Sequence, residues 1–322
     1  IRGALLAAGA KGLRETEGVP YAMQEDEVAL NAIDAMQSKL GVGADGTLWV
    51  GSCQGIYRCG GESAIRFRSE DYPATVAIMG AHGSTYIATN QGLLRFRDGE
   101  FVRYTPNNSP LHDQHLVAMA VVSDEVWCVG YESESKGKHI SAFDGERWRL
   151  LMPGVDLPAC AIEHIHIDAQ GRVVVGGGQD GGVHVRGVGS SEWSHEQIAD
   201  GIFSPNVYAM STRAGTDLFG THMGLFRRSS DGFEKIRDGA FSQLEWIGDT
   251  LWAATSWDGV FSFHGDCQGD VGALDVQEYD EARAGHSLSN VESMAAVGEE
   301  LYLLAGQKFL RVRDGVFSNV GA

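Results

Sequence analysis

One sequence unit recurs along the 322 residues: an apolar strand, a short polar loop, a glycine, and a second apolar strand. It reads Leu48-Trp49-Val50-Gly51-Ser52-Cys53-Gln54-Gly55-Ile56 in one copy and Thr85-Tyr86-Ile87-Ala88-Thr89-Asn90-Gln91-Gly92-Leu93 in the next. It returns at Leu218-Phe219-Gly220-Thr221-His222-Met223-Gly224 and at Leu251-Trp252-Ala253-Ala254-Thr255-Ser256-Trp257-Asp258-Gly259. Weaker copies surround Trp127, Val174 and Leu303, and one more spans Leu5 to Arg14. Taking Trp49 as the marker, its equivalents are Leu6, Tyr86, Trp127, Val174, Leu218, Trp252 and Leu303, spaced 34 to 51 residues apart. A period of roughly 40–50 residues built from strands is that of a propeller blade.

The turns support the same division. Asp45-Gly46, His82-Gly83 and Gln170-Gly171 precede marker strands, and Asp98-Gly99, Asp144-Gly145 and Asp314-Gly315 follow the second strand. Such pairs reach the positive φ that tight hairpins need. The 43 glycines against 7 prolines fit a chain of many hairpins. Each unit then reads as four antiparallel strands, A to D, from the axis outward. A single four-stranded sheet cannot bury both faces, whereas stacking units around a ring does. The expected fold is all-β: one β-propeller domain over residues 1–322, with eight blades preferred over seven. The first blade lacks its strand A, since only Ile1 to Gly3 precede it. A β-helix would have shorter repeats without these hairpins. A WD40 assignment fails because Trp257-Asp258 falls in a B–C loop. Marker aromatics Trp49, Trp127 and Trp252 are expected between neighbouring blades.

The strand-B signature, apolar-Trp-Val-Gly-Ser/Thr-x-x-Gly-Leu/Ile, resembles the two-component regulator propeller repeat, best around Trp49, Tyr86, Leu218 and Trp252. That resemblance implies a sensor region of the kind attached to signalling domains. No kinase, receiver or DNA-binding segment accompanies it here. The chain begins at Ile1, not Met, and is read as a processed product or a piece of something longer.

Charge narrows the partners. A net charge of −18 repels phosphate backbones and anionic membrane surfaces. The expected partner is a protein, a peptide or a small molecule, with no nucleic acid and no membrane. Cys53, Cys59, Cys128, Cys160 and Cys267 are odd in number and irregular in spacing, so they read as thiols of a reducing, cytoplasmic compartment.

Alternating strand direction puts the B–C loops and the starts of strands A on one face, where loops present chemistry on a rigid frame. The loops supply Gln54, Asn90, Gln91, Gln179, Asp180, His222, Trp257 and Asp258. The strand starts supply His115, His164, Asn206, Tyr208, Asn290 and Glu292. A long loop from Tyr131 to His139 joins them. Amides and aromatics suit a peptide or small ligand, so the expected function is a non-enzymatic binding or sensor propeller, with no cofactor and no bound metal. The alternative is a metal-dependent lyase or lactonase-like hydrolase, for which Glu163, His164, His166, His222 and Glu292 are the candidate groups in the channel. No His-Glu-x-x-His, Gly-x-Ser-x-Gly or P-loop is present.

Overall fold

The computed structural model describes residues 14–15, 18–33, 38–69, 73–122, 124–131, 139–152, 156–158, 162, 164–176, 182–188, 190–198, 206–229, 232–267, 269 and 273–321. Three short strands, β1 (Arg14–Glu15), β2 (Val19–Pro20) and β3 (Gln24–Ala29), lead into a 3₁₀ turn at Leu30–Ala32. Four-stranded antiparallel meanders follow: β4 (Lys39–Val42), β5 (Leu48–Ser52), β6 (Gly55–Gly60) and β7 (Ser63–Arg68), then β8 (Thr75–Ala81), β9 (Ser84–Thr89), β10 (Gly92–Arg97) and β11 (Glu100–Tyr104). Next come β12 (Leu116–Val122), β13 (Glu125–Gly130), β14 (Ile140–Phe143) and β15 (Arg147–Leu151), then β16 (His164–Ile167), β17 (Val173–Gly176), β18 (Val183–Arg186) and β19 (Trp193–Glu196). β20 (Val207–Arg213), β21 (Thr216–Thr221), β22 (Gly224–Ser229) and β23 (Gly232–Arg237) precede β24 (Phe241–Ile247), β25 (Thr250–Thr255), β26 (Val260–His264) and β27 (Asp275–Tyr279). After a one-turn helix α1 (Glu281–Ala284) the chain ends in β28 (Val291–Val297), β29 (Glu300–Ala305), β30 (Lys308–Arg313) and β31 (Val316–Asn319).

The loop signature has a local physical cause. Thr89 Oγ1 donates to the Gly92 carbonyl at 2.7 Å and accepts from Gln91 N at 3.1 Å. Thr221 repeats this with Gly224 O at 2.9 Å and Met223 N at 3.1 Å. The hydroxyl thus satisfies the backbone of a reversal too tight to satisfy itself. Gly92 sits at φ +120°, and a Cβ there would lie 2.3 Å from the Tyr104 carbonyl on the outer strand. Gly92→Ala is therefore expected to lower the unfolding free energy by about 2 kcal/mol or more, since both a glycine-only conformation and a strand contact are lost. Urea unfolding checks this: an unchanged midpoint would mean that the loop does not need its glycine.

The strands confirm an all-β propeller arrangement but not its expected division into eight blades, or seven. The described strands form five separate sheets of blade size and one sheet of ten strands. Four blades hold four strands each, and the fifth, β1-β15-β14-β13-β12, holds five. The ten-stranded sheet runs β2-β11-β10-β9-β8-β4-β5-β6-β7-β3, fusing two repeat units. Fusion occurs because inner strands β4 and β8 pair parallel at Val42↔Met79. Gly41 permits that approach, as a Cβ there would fall 2.1 Å from the Ile78 carbonyl. No blade forms around the N-terminal repeat copy among the described residues. Leu6 lies outside them, and β1, β2 and β3 instead add to the outer edges of β15, β11 and β7.

Inner strands β4, β8, β12, β16, β20, β24 and β28 succeed one another around the axis, and β28 returns to β4. The closing contact is both apolar and polar. Leu40, Val50 and Tyr57 pack with Ala295, Leu304 and Phe309, while Leu40 N donates to Ser293 Oγ at 3.0 Å. Trp49, Trp127 and Trp252 are all buried between neighbouring units, as their place in the repeat predicts. One marker was a residue out of register. Tyr302, opposite Ala295 and Arg311, occupies the place that Trp252 takes opposite Glu245 and Ser262, and Leu303 points the other way along the pleat. Cys59, Cys128 and Cys267 are free thiols; burial pushes Cys59 up to about 12, while Cys160 lies outside the described residues. No described helix is long and apolar enough to cross a membrane.

Candidate functional site

The B–C loops and the starts of the inner strands meet on one face, and hydrogen bonds tie them together. Asn90 N donates to the Ala74 carbonyl at 3.0 Å and Ala74 N returns a bond to Asn90 Oδ1 at 2.9 Å. Tyr131 N donates to His115 O at 2.7 Å, and Asn206 N to His222 Nδ1 at 3.2 Å. Ser256 N reaches Ala240 O at 3.0 Å, and Asn290 N crosses from the next unit to Ser256 O at 3.3 Å.

A second repeated device sits at the channel mouth. In five units the pairing of the innermost two strands slips by one residue near its start: between Thr75 and Ala77, Leu116 and Ala118, Val207 and Ala209, Phe241 and Gln243, and Val291 and Ser293. The skipped residues are Val76, Val117, Tyr208, Ser242 and Glu292. A bulge frees its residue from the ladder and re-aims the side chain. Two of the sequence-selected residues, Tyr208 and Glu292, are thus bulge residues.

Tyr208 and His164 line one cavity of about 230 Å³ together with Met210, Ser242, Gln243 and Glu245. The Tyr208 ring lies 6.3 Å from His222, so Asn206, Tyr208, His222 and His164 form one neighbourhood. Asn290, Trp257 and Asp258 form a second, held by Thr255, whose Oγ1 accepts from Asp258 N at 2.8 Å. His115 joins Tyr131, with ring centroids 5.4 Å apart. Asn90 and Gln91 stand together, with Arg103 donating to Gln91 Oε1 at 2.9 Å. Gln54 is exposed on its own loop. Gln179, Asp180, Glu163 and residues 132–138 of the long loop lie outside the described residues. The set is therefore arranged around the mouth rather than gathered in one pocket.

Sequence reasoning passed over Lys39 and Glu245. Lys39 Nζ donates to the Glu292 carbonyl at 3.1 Å; burial lowers its pKa, and the Glu292 charge partly opposes this. Glu245 lies on β24, and burial raises its carboxyl to about 7. The available signal was a lone acid within the apolar inner strand Phe241-Ser242-Gln243-Leu244-Glu245-Trp246-Ile247. Of the exposed apolar side chains, Trp257 and Tyr131 belong to loops the sequence singles out, whereas Met152 and Met223 went unremarked. Tyr131, Met152, Met223 and Trp257 are large, exposed and all on this face, whereas Val188 and Val316 sit at hairpin tips on the other.

His166, a candidate metal ligand, does other work. Its Nε2 hydrogen-bonds Thr212 Oγ1 at 2.7 Å, and Thr212 donates to Asp217 at 2.7 Å. Burial lowers its pKa. Fully buried Asp168 lies beside this chain and takes Arg172 Nε at 2.6 Å and Arg228 Nη1 at 2.9 Å. The Asp168–Arg228 pair clamps the β16–β19 and β20–β23 blades together on the hairpin face, beside a cavity of about 590 Å³. Among the described residues, no group of three or more His, Cys, Asp or Glu side chains is placed to hold a metal ion.

Solved structures share this ring. Among them are the extracellular domains of BT3049 and BT4673 from B. thetaiotaomicron, each described as a hybrid two component system. BT3049 matches with a TM-score of 0.64 at 14% identity over 92% of this chain and 41% of that one. The ring also resembles a streptogramin B lyase, with a TM-score of 0.63 at 10% identity over 90% of this chain and 97% of that one. YCF48 bound to D1 peptide gives a TM-score of 0.63 at 13% identity over 92% and 97%. At these identities the likeness shows the fold. The chain spans about two fifths of the length of the extracellular domains it matches. No family model and no curated protein matches the sequence. The cytoplasmic address expected from the cysteines finds no support in these neighbours.

Proposed function

We propose that the chain is the recognition propeller of a sensor-type protein, binding a peptide or small ligand on the face of its B–C loops, outside the cytoplasm. The observation that carries this reading is Trp257, whose side chain is 79% exposed at the tip of a loop with little freedom. Thr255 N and Oγ1 both donate to Gly259 O, at 2.9 and 3.1 Å, and Ser256 is bonded on two sides to neighbouring backbone. A rigid loop that holds an indole in water forgoes its burial. Such a residue suits a hot spot, since little conformational freedom remains to be lost on binding. Met223 and Tyr131 extend the apolar contact around the mouth, and the amides of Asn90, Gln91 and Asn290 offer polar contacts between. The peptide-bound YCF48 and the extracellular domains of two component systems among the structural neighbours are consistent with this reading.

The test uses a random peptide display library selected against the immobilised chain. Trp257→Ala is expected to weaken the selected peptides by at least about 2 kcal/mol, or roughly thirtyfold, while leaving the urea midpoint unchanged. Peptides that bind the variant as tightly as the parent would remove Trp257 from the site.

A further inference from the structure

The outer edges of the ring are not treated alike. β3 lies antiparallel along β7, while among the described residues the outer edges of β19, β23, β27 and β31 carry no further strand. The β3–β7 pair shows what such an edge accepts. Asp26 stands opposite Arg66, its carboxylate takes both Arg66 and Arg68, and Ser63 Oγ donates to Glu27 at 2.7 Å.

β23 repeats the chemistry of β7. Gly232-Phe233-Glu234-Lys235-Ile236-Arg237 aligns with Ser63-Ala64-Ile65-Arg66-Phe67-Arg68. The registers agree as far as the first cation: Phe226 faces Lys235 as Tyr57 faces Arg66, and Ser229 faces Gly232 as Gly60 faces Ser63. Past Lys235 the ladder slips at Ile236, and Arg237 supplies the second cation opposite Leu225. The carboxylates that both cations reach are exposed, Asp238 for Lys235 at 3.0 Å and Glu278 for Arg237 at 3.1 Å, and the cations also lie over the rings of Phe226 and Phe261 at 5.5 and 4.4 Å. The other uncovered edges lack this character. β27 carries Asp275 and Glu278, β19 carries Glu196, and β31 reads Val-Phe-Ser-Asn. Among the described residues, β23 is the uncovered edge with a net positive charge.

We propose that the outer edge of β23 is a docking site for an extended acidic segment of a partner protein, added antiparallel as a fifth strand. Backbone hydrogen bonds to an open edge supply sequence-independent affinity, and the facing side chains supply selectivity. An acid must stand opposite Lys235. The residue after it faces Glu234, so it must not be acidic, because like charges directly opposite repel. The fitting segment therefore differs from the protein's own β3 at one place: Glu27 faces Ile65 on β7 but would face Glu234 on β23.

Fluorescence anisotropy with a labelled peptide of residues 22–30 carrying Glu27→Gln tests this on the full chain. Saturable binding is expected, weakened about tenfold or more by Lys235→Glu and unaffected by Arg66→Glu. A second peptide carrying Asp26→Lys as well is expected to bind the Lys235→Glu chain in preference to the parent, which separates charge pairing from any effect on folding. No saturable binding would overturn the proposal. So would a loss caused by Arg66→Glu alone, which would mean that the peptide exchanges with β3 on β7. Self-association of the chain that Lys235→Glu abolishes would also overturn it, by making a second copy the occupant.

Discussion

Trp252→Ala is expected to cost about 3–5 kcal/mol of unfolding free energy, the range of a large aromatic removed from a packed core. Trp252 is 6% exposed and belongs to two units at once. Its ring lies 5.2 Å from Tyr279 in its own blade and 6.3 Å from Phe317 in the next, within a cluster that includes Leu301 and Leu310. The cavity left by alanine would be walled by two separate sheets, each fixed by its own ladder, so neither can close it. Trp257, five residues on, is expected to be nearly neutral because its ring touches solvent. Urea unfolding of the two variants side by side checks both statements. A neutral Trp252→Ala with a severe Trp257→Ala would reverse the assignment of strand and loop.

Glu245→Gln is expected to change how stability depends on pH. Burial raises the Glu245 carboxyl from its ordinary 4.5 to about 7. An acid raised on folding binds its proton more tightly in the folded state, so the folded chain holds the extra proton between those two values. Stability contributed by the neutral form is present below the unfolded pKa and is lost as pH rises through the folded one. The full loss, on the order of 3 kcal/mol, is in place above about pH 7. Glutamine cannot ionise and escapes it. The variant is therefore expected to match the parent near pH 4.5 and to exceed it by on the order of 3 kcal/mol at about pH 8. Charge repulsion across this acidic chain acts on both proteins alike and cancels in the difference. A difference that does not vary with pH would show that folding leaves the Glu245 carboxyl at its ordinary value.

Much of this was legible in the sequence, for reasons that differ by element. The Ser/Thr-x-x-Gly loop is local chemistry, a hydroxyl that caps a reversal and a glycine at positive φ, so it marks the B–C hairpins after Ser52, Thr89 and Thr221 and, with one residue more, the one after Thr255, but not those after Gly130, Gly176 and Ala305. Trp49 and Trp252 follow from it by register, and Trp127 from the repeat spacing. The division of the ring was not legible, because it depends on contacts between repeats. Nothing near Gly41 announces that β4 would pair with β8, and the three N-terminal strands resemble a blade's beginning more than edge strands for three others. The Leu303 marker failed because pleat alternation makes a one-residue slip invisible in Leu-Tyr-Leu-Leu. At the mouth, the loop residues were readable from topology, whereas the bulges that free Tyr208 and Glu292 leave no trace in the sequence. Glu245 could be seen only as a misplaced acid until its burial was known.

The most direct test of the central claim compares the two faces of the ring. Peptides selected against the parent chain are measured against Trp257→Ala and His222→Ala on the loop face, and against Asp98→Ala and Asp314→Ala at hairpin turns on the other. Loss of binding in the first pair, with the second pair unchanged, is the result this account predicts. Loss of binding in the second pair alone would place the recognition face on the opposite side of the ring.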